Sequence, residues 1–213
     1  MALIVGTWTW GSKYPRHYIE RLAASVSRNL AQDHRFMVFR PLEVDEYLTA
    51  IPGCFARLRM FDPMWQMVHG IRPGDRLVCM DLDLIVTGQI DPLFDRPDDF
   101  CILQGINAAN PCRCNGSLWM LRAGYRPDVW GDFSLETVKS VPYYDFPDDE
   151  GWFEHKIPNA GAWGPRDGVY AFKKPGWPRG EEKPPHARVV AFPGWRDPSM
   201  FEHLEWVRNH WRV

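Results

Sequence analysis

Asp81 and Asp83 are separated by one residue and stand directly after the apolar run Leu77-Val78-Cys79-Met80. In extended or turn backbone, carboxylates two residues apart point to the same side and can share one hard divalent cation. A cation so held can neutralise a departing diphosphate. A bare pair of aspartates at this spacing arises by chance about once in a chain of this length, so its context must carry the case. Here the pair ends a buried strand, and ligands in open α/β sheets lie beyond the carboxyl ends of strands. A second acidic cluster, Asp148-Asp149-Glu150, offers either positioned carboxylates or an acidic helix start that complements the macrodipole. Cys112 and Cys114 suggest zinc, but no second ligand pair lies at finger-like spacing, and a loop with two thiols is the simpler reading.

The elements that must position these groups follow from periodicity. Leu3-Ile4-Val5, ended by Gly6, reads as a buried first strand. Ile19, Leu22, Val26 and Leu30 recur at helical spacing and predict an amphipathic helix over 15–30, with Pro15 in its first turn. Phe36-Met37-Val38-Phe39 is a second strand, so the chain opens with a right-handed βαβ unit. A helical pattern over 55–69, interrupted at Pro63, precedes the strand that carries the aspartates. Further strands are expected at 100–103, 118–121, 169–172 and 189–192. Residues 173–186 are rich in Pro, Gly and charge and read as an exposed loop. Ser199 and Glu202 have the spacing of a capping box before a terminal helix whose buried face is Phe201, Leu204, Val207 and Trp211. Strands alternating with helices mean an α/β fold.

The run from Gly74 to Gly88 (GDRLVCMDLDLIVTG), continued by Ile90-Asp91-Pro92-Leu93-Phe94, closely resembles the core of GT-A glycosyltransferases related to glycogenin and the bacterial lipopolysaccharide galactosyltransferases. Looser likenesses extend over most of the chain. Lys13-Tyr14 resembles the family's first nucleotide-contacting loop, and Arg57-Leu58-Arg59-Met60-Phe61 its helix with a basic residue before the metal motif. Asn115-Gly116-Ser117-Leu118 is similar to its turn near the donor sugar, and Asp149-Glu150-Gly151-Trp152 to its acceptor-side helix.

The resemblance implies a GT-A type, Rossmann-like, mostly parallel central sheet flanked by helices, as one domain over 1–213. It implies transfer of a sugar from a nucleotide-diphosphate donor, a UDP-sugar, to a hydroxyl of a glycan, a lipid-linked or another acceptor, with retained configuration. Mn2+ or Mg2+ would be held by Asp81 and Asp83, with Asp81 also touching ribose. Catalytic roles fall to Asp149, Glu150 and Asn115, and donor contacts to Trp8, Lys13, Tyr14, Arg57, Ser117 and Arg196. Each has a plainer reading: Asn115-Gly116 as a turn between strands, Arg57 as an ion-paired surface group, most tryptophans as core. Of the tryptophans, Trp8 and Trp195 are best placed to stack on a ligand.

One departure stands out. Relatives commonly close with "H-G-x-x-K-P", whose histidine is the third metal ligand, whereas this chain reads Pro193-Gly194-Trp195-Arg196-Asp197-Pro198. Asp197 could replace the ligand and Arg196 could meet phosphate oxygens; the metal could instead keep extra waters. The remaining alternatives are a degenerate nucleotide-sugar-binding module and a sugar nucleotidyltransferase. The latter usually has a glycine-rich basic loop after its first strand, which residues 6–14 lack.

Bulk properties agree with a small-molecule ligand. The formal charge of −2 argues against nucleic acid as a partner. Five cysteines, an odd set in a chain large enough to fold without staples, suit a reducing cytoplasm. Cys79 and Cys101 lie in apolar runs and read as core, and His186 and His203 as surface. The start carries no basic region and no long apolar segment of a signal peptide. No run of 18 apolar residues exists, which leaves only peripheral membrane contact, for example through Trp206 and Trp211 of the terminal helix.

Overall fold

The computed structural model describes residues 1–106 and 112–213. The first apolar run forms β1 (Leu3–Trp8), α1 (Arg16–Asn29) returns the chain, and β2 (His34–Phe39) pairs in parallel beside it. A 3-10 helix over Phe55–Phe61 and the short α2 (Pro63–Val68) lead into β3 (Arg76–Met80). There follow β4 (Leu84–Val86), α3 (Asp91–Phe94), β5 (Phe100–Gln104), β6 (Cys114–Arg122), α4 (Asp128–Gly131) and α5 (Asp149–Lys156). The chain closes with β7 (Gly161–Trp163), β8 (Val169–Ala171), β9 (Val189–Ala191) and α6 (Glu205–His210).

The main sheet has the order β2-β1-β3-β6-β5-β7, with β6 antiparallel to both of its neighbours and the other five strands aligned. This is the mostly parallel α/β sheet expected. Both faces are covered, and side-chain alternation along the strands sorts residues between them. Leu3, Val5, Val78, Met80, Leu118 and Met120 face a core shared with Leu22 and Val26 of α1. Ile4, Leu77, Cys79, Trp119 and Leu121 face the opposite core, with Leu58, Phe61 and Phe153. Leu22 is 1% exposed, so Leu22→Ala would cost about 2–5 kcal/mol. Cys79 and Cys101 are fully buried, as expected.

Several expectations need correction. A second, three-stranded sheet, β4-β9-β8, adds to the single sheet expected: β8 and β9 match the strands expected at 169–172 and 189–192, whereas β4, three residues long, is too short to express a period. The first half of the 55–69 helix is 3-10 rather than α. Asn115-Gly116 is not a turn: it lies inside β6, where pairing jumps from Ile102↔Trp119 to Leu103↔Asn115 and the intervening residues bulge. For the same reason Cys114 belongs to a strand and not to a loop. The Ser199/Glu202 capping box does not form; Asp197 caps the 3-10 turn over Pro198–Phe201 by accepting from the Ser199 N–H, and Leu204 precedes α6 without a side-chain cap. The apolar face of the terminal segment is as expected, with Phe201, Val207 and Trp211 buried. Trp206 is buried too, its Nε1 donating to the Glu181 carbonyl, so packing accounts for both terminal tryptophans. Among the described residues no helix is long and apolar enough to cross a membrane.

Candidate functional site

The central strands β1 and β3 end side by side, and the reversed β6 begins at the same edge. Asp81 is the first residue past β3. Its N–H donates to the Ser117 carbonyl (2.9 Å), continuing the pairing with β6, and its carbonyl accepts from Leu84 N–H (3.3 Å), turning the chain into β4. The aspartate pair therefore sits where the chain leaves one sheet for the other. Asp81 and Asp83 both line a cleft of about 430 Å3 with Trp8, Lys13, Tyr14 and Arg57. Asn115, Ser117, Asp149 and Glu150 line its other side. Ten of the residues singled out in the sequence thus meet in one place.

Arg57 is the hub. Cys54, in left-handed backbone at φ 56°, starts the 3-10 helix that turns Arg57 inward, where it is 3% exposed. Its Nη1 donates to Asp81 Oδ1 (2.5 Å) and to the Gly116 carbonyl (2.8 Å); its Nε (2.8 Å) and Nη2 (2.6 Å) both reach Asp149 Oδ2. The surface-residue reading of Arg57 is therefore wrong. Burial opposes the guanidinium charge, but Asp149 and Asp81 outweigh it and hold Arg57 well above the usual arginine range. Burial likewise pushes the Asp149 carboxyl up while Arg57 opposes the shift. Asp149 starts α5 directly after its cap Asp148, whose side chain accepts from Gly151 N–H (2.8 Å), so helix geometry fixes the carboxylate that Arg57 meets.

Glu150 is anchored through one oxygen: Oε1 accepts from Asn115 Nδ2 (2.8 Å) and from Gly116 N–H (2.9 Å). The β6 bulge makes this possible by turning Asn115 and the Gly116 amide to the same acceptor. Burial, then the Asp148 charge, raise Glu150 to about 7 against the stabilising amide. Asp83 is also pushed up to about 7, by burial first and then by Asp81, with a smaller repulsion from Asp197; the Tyr14 hydroxyl, donating to Oδ2 (2.6 Å), and Lys13 oppose this. Burial and Asp83 together push the Tyr14 phenol far above its ordinary range, so it stays a donor.

Arg196 and Asp197 stand outside the cleft lining, which at that side consists of Pro193 and Gly194. The Arg196 guanidinium lies 5.1 Å from the ring of Trp195, itself 70% exposed. Asp197 remains close enough to repel Asp83, and among the described residues its hydrogen bonds fall on Oδ1, from Tyr18 Oη (2.6 Å), Ser199 N (2.9 Å) and Ser199 Oγ (2.7 Å). His186 and His203 are exposed as expected, paired with Tyr170 and near Glu181. Trp8 is mostly core, stacked on Trp65 at 5.7 Å, with one edge in the cleft.

Sequence reading did not single out Trp10, Gly53, Cys54 or Phe146 as site residues, although all line the cleft. They come from loops with no motif, and only chain folding brings them in. Burial pushes the Cys54 thiol up to about 12, which makes it a protonated wall rather than a nucleophile.

No family profile and no curated protein matches this sequence. Solved structures do. The galactosyltransferase LgtC, in complex with donor and acceptor sugar analogs, superposes with a TM-score of 0.61 at 12% identity over 100% of this chain and 97% of that one. A glycosyltransferase involved in glycosylation of the major capsid of PBCV-1 gives 0.61 at 14% identity over 95% and 98%. The glycosyltransferase GlyE of Streptococcus pneumoniae gives 0.59 at 12% identity over 98% of this chain and 63% of its own. The chain has the GT-A fold of these glycosyltransferases.

Proposed function

We propose that residues 1–213 act as one GT-A-like domain that moves a sugar from a nucleotide-diphosphate donor, a UDP-sugar, to an acceptor hydroxyl on a glycan, a lipid-linked or another carrier, with retained configuration and in the cytoplasm. The observation that carries this reading is the convergence of the Asp81/Asp83 pair, buried Arg57 and the Asn115/Glu150 couple in one cleft at the strand ends, in a chain of glycosyltransferase fold.

The cleft fits a divalent cation. Asp83 is 8% exposed beside a second carboxylate, whose repulsion adds to burial in disfavouring its charge, and a divalent cation between the two would relieve both. Asp81 and Asp83 would hold Mn2+ or Mg2+, with Asp197 Oδ2 or water completing the shell. When bound, the ion supplies neutralisation of the departing diphosphate. Tyr14 orients Asp83, and Arg57 orients Asp81 while presenting fixed positive charge at the cleft floor. Lys13, exposed at the rim, can meet phosphate oxygens, whereas Arg196 lies outside the cleft lining, over the Trp195 ring. Trp10 offers an aromatic surface to the base, with the cleft-facing edge of Trp8 beside it. Asn115 and Ser117 face the donor sugar. Asp149 acts through Arg57, and Glu150, held by one oxygen, positions the acceptor hydroxyl or stabilises positive character at the anomeric carbon.

A second reading, a nucleotide-sugar-binding module without turnover, is favoured by Pro193, which lines the cleft where relatives carry a metal-ligating histidine. Calorimetry with UDP, with and without manganese, followed by a donor-hydrolysis assay, separates the two. Metal-linked binding with turnover supports the transferase, and binding without turnover the module. Silence under all conditions overturns both.

A further inference from the structure

We propose that Cys112, Cys114 and Glu154 form a binding site for a thiophilic divalent cation such as zinc, separate from the cleft and independent of the transfer reaction. The sequence pairs the two cysteines but offers no further ligand nearby. The fold supplies it: α5 packs on the start of β6 and brings Glu154 beside them, so that one ligand atom from each residue lies within 4.8 Å of the others. Among the described residues no other trio of histidine, cysteine or carboxylate ligands gathers in this way.

The spacing suits tetrahedral coordination. Zinc–sulfur bonds of about 2.3 Å and zinc–oxygen bonds of about 2.0 Å set ligand atoms roughly 3.5–3.8 Å apart, and Cys114 Sγ already stands 3.4 Å from Glu154 Oε2. Both cysteines are buried, at 4% and 3% exposure, while the Glu154 side chain keeps 23% and leaves an approach from solvent. Arg113 holds the other carboxylate oxygen, Oε1, at 2.9 Å from Nε, which turns Oε2 toward the thiols. Charge also closes. On binding, the two thiols release two protons to solvent, and two thiolates with one carboxylate balance the divalent ion and the Arg113 guanidinium. Soft sulfur ligands exclude magnesium or manganese, so this ion is of a different class from the one proposed for the aspartates. Because Cys114 lies in β6 and Glu154 in α5, the ion would clasp β6 to the helix that carries Asp149 and Glu150, replacing the hydrogen bond that the Cys112 thiol donates to the Glu150 carbonyl (3.1 Å).

The test is a cadmium titration of the full chain, read by ultraviolet thiolate-to-metal charge transfer, a band that carboxylate sites do not produce. We expect it to saturate at about one cadmium per chain and to be reversed by zinc. Cys114→Ser should abolish it, and Glu154→Gln, a mild change at a half-buried position, should weaken binding at least about tenfold. Absence of the band in the unaltered chain overturns the proposal, as does full-strength binding in either variant. Should Cys114→Ser fail to fold, the Glu154→Gln affinity decides alone.

Discussion

Gly116 lies so close to Arg57 that a methyl group on its Cα would stand 2.3 Å from Nη2. The arginine cannot swing aside, because the same guanidinium is tied to Asp149 and Asp81 in a buried position. Gly116→Ala should therefore destabilise the chain by about 1–3 kcal/mol and release Asp81 from its partner. Urea unfolding together with donor binding checks this, and an unchanged midpoint would show that the packing is looser than the distances state.

Arg57 and Asp149 form a buried pair whose value lies mainly in leaving neither charge alone. Arg57→Met should cost about 3–5 kcal/mol, since it strands Asp149. Adding Asp149→Leu should return much of that stability. A double-mutant cycle measures it, and simple additivity of the two losses would refute a coupled pair.

Glu150, raised from 4.5 to about 7, binds its proton more tightly in the folded chain than in the unfolded one. The stability tied to this shift is complete below about pH 4.5 and is lost as pH rises through about 7. Glu150→Gln keeps an oxygen for Asn115 and the Gly116 amide and removes the titration. The variant should gain on the natural chain between pH 5 and 8 by about 2 kcal/mol, less than the full shift implies because the side chain is partly wetted. A stability difference that stays flat with pH would contradict the assignment.

Asp83→Asn retains an acceptor for the Tyr14 hydroxyl and removes a buried carboxylate. Its melting temperature should not fall, while the manganese dependence of UDP binding and all transfer should disappear. Undiminished turnover in this variant would end the metal hypothesis.

Asp197 has a structural duty as the cap of residues 198–201, and asparagine caps equally well. Asp197→Asn should leave stability within about 0.5 kcal/mol yet lower manganese affinity if Oδ2 is the third ligand. Equal affinity in the two proteins would remove Asp197 from the metal shell and leave water in its place.

Much of the architecture was legible from local pattern. The apolar run of 77–80, the helical spacing of Ile19, Leu22 and Val26, and the strands at 100–103 and 118–121 announce a covered α/β sheet, because burial on a strand or helix face forces a fixed period. The aspartate pair was legible for the same reason: it ends a buried strand, and chain direction alone places it at the sheet's edge. The 74–94 segment carried the resemblance to glycosyltransferases, and the fold agrees with it at identities of 11–14%.

Other features had no local signal. Nothing near Arg57 says that it is buried, since its two carboxylate partners are 24 and 92 residues away. The bulge that sets Asn115 and Gly116 on Glu150 depends on pairing with β5, not on the Asn-Gly dipeptide, which by itself favours a turn. Glu154 is likewise 40 residues from Cys114. By itself the sequence determined the layers, the strand order's beginning and the place of the acidic pair, because these follow from periodicity and chain direction. Only the tertiary structure decided which charges are paired and which oxygens remain open, because electrostatic partnership depends on distance in space, and chain separation carries no record of it.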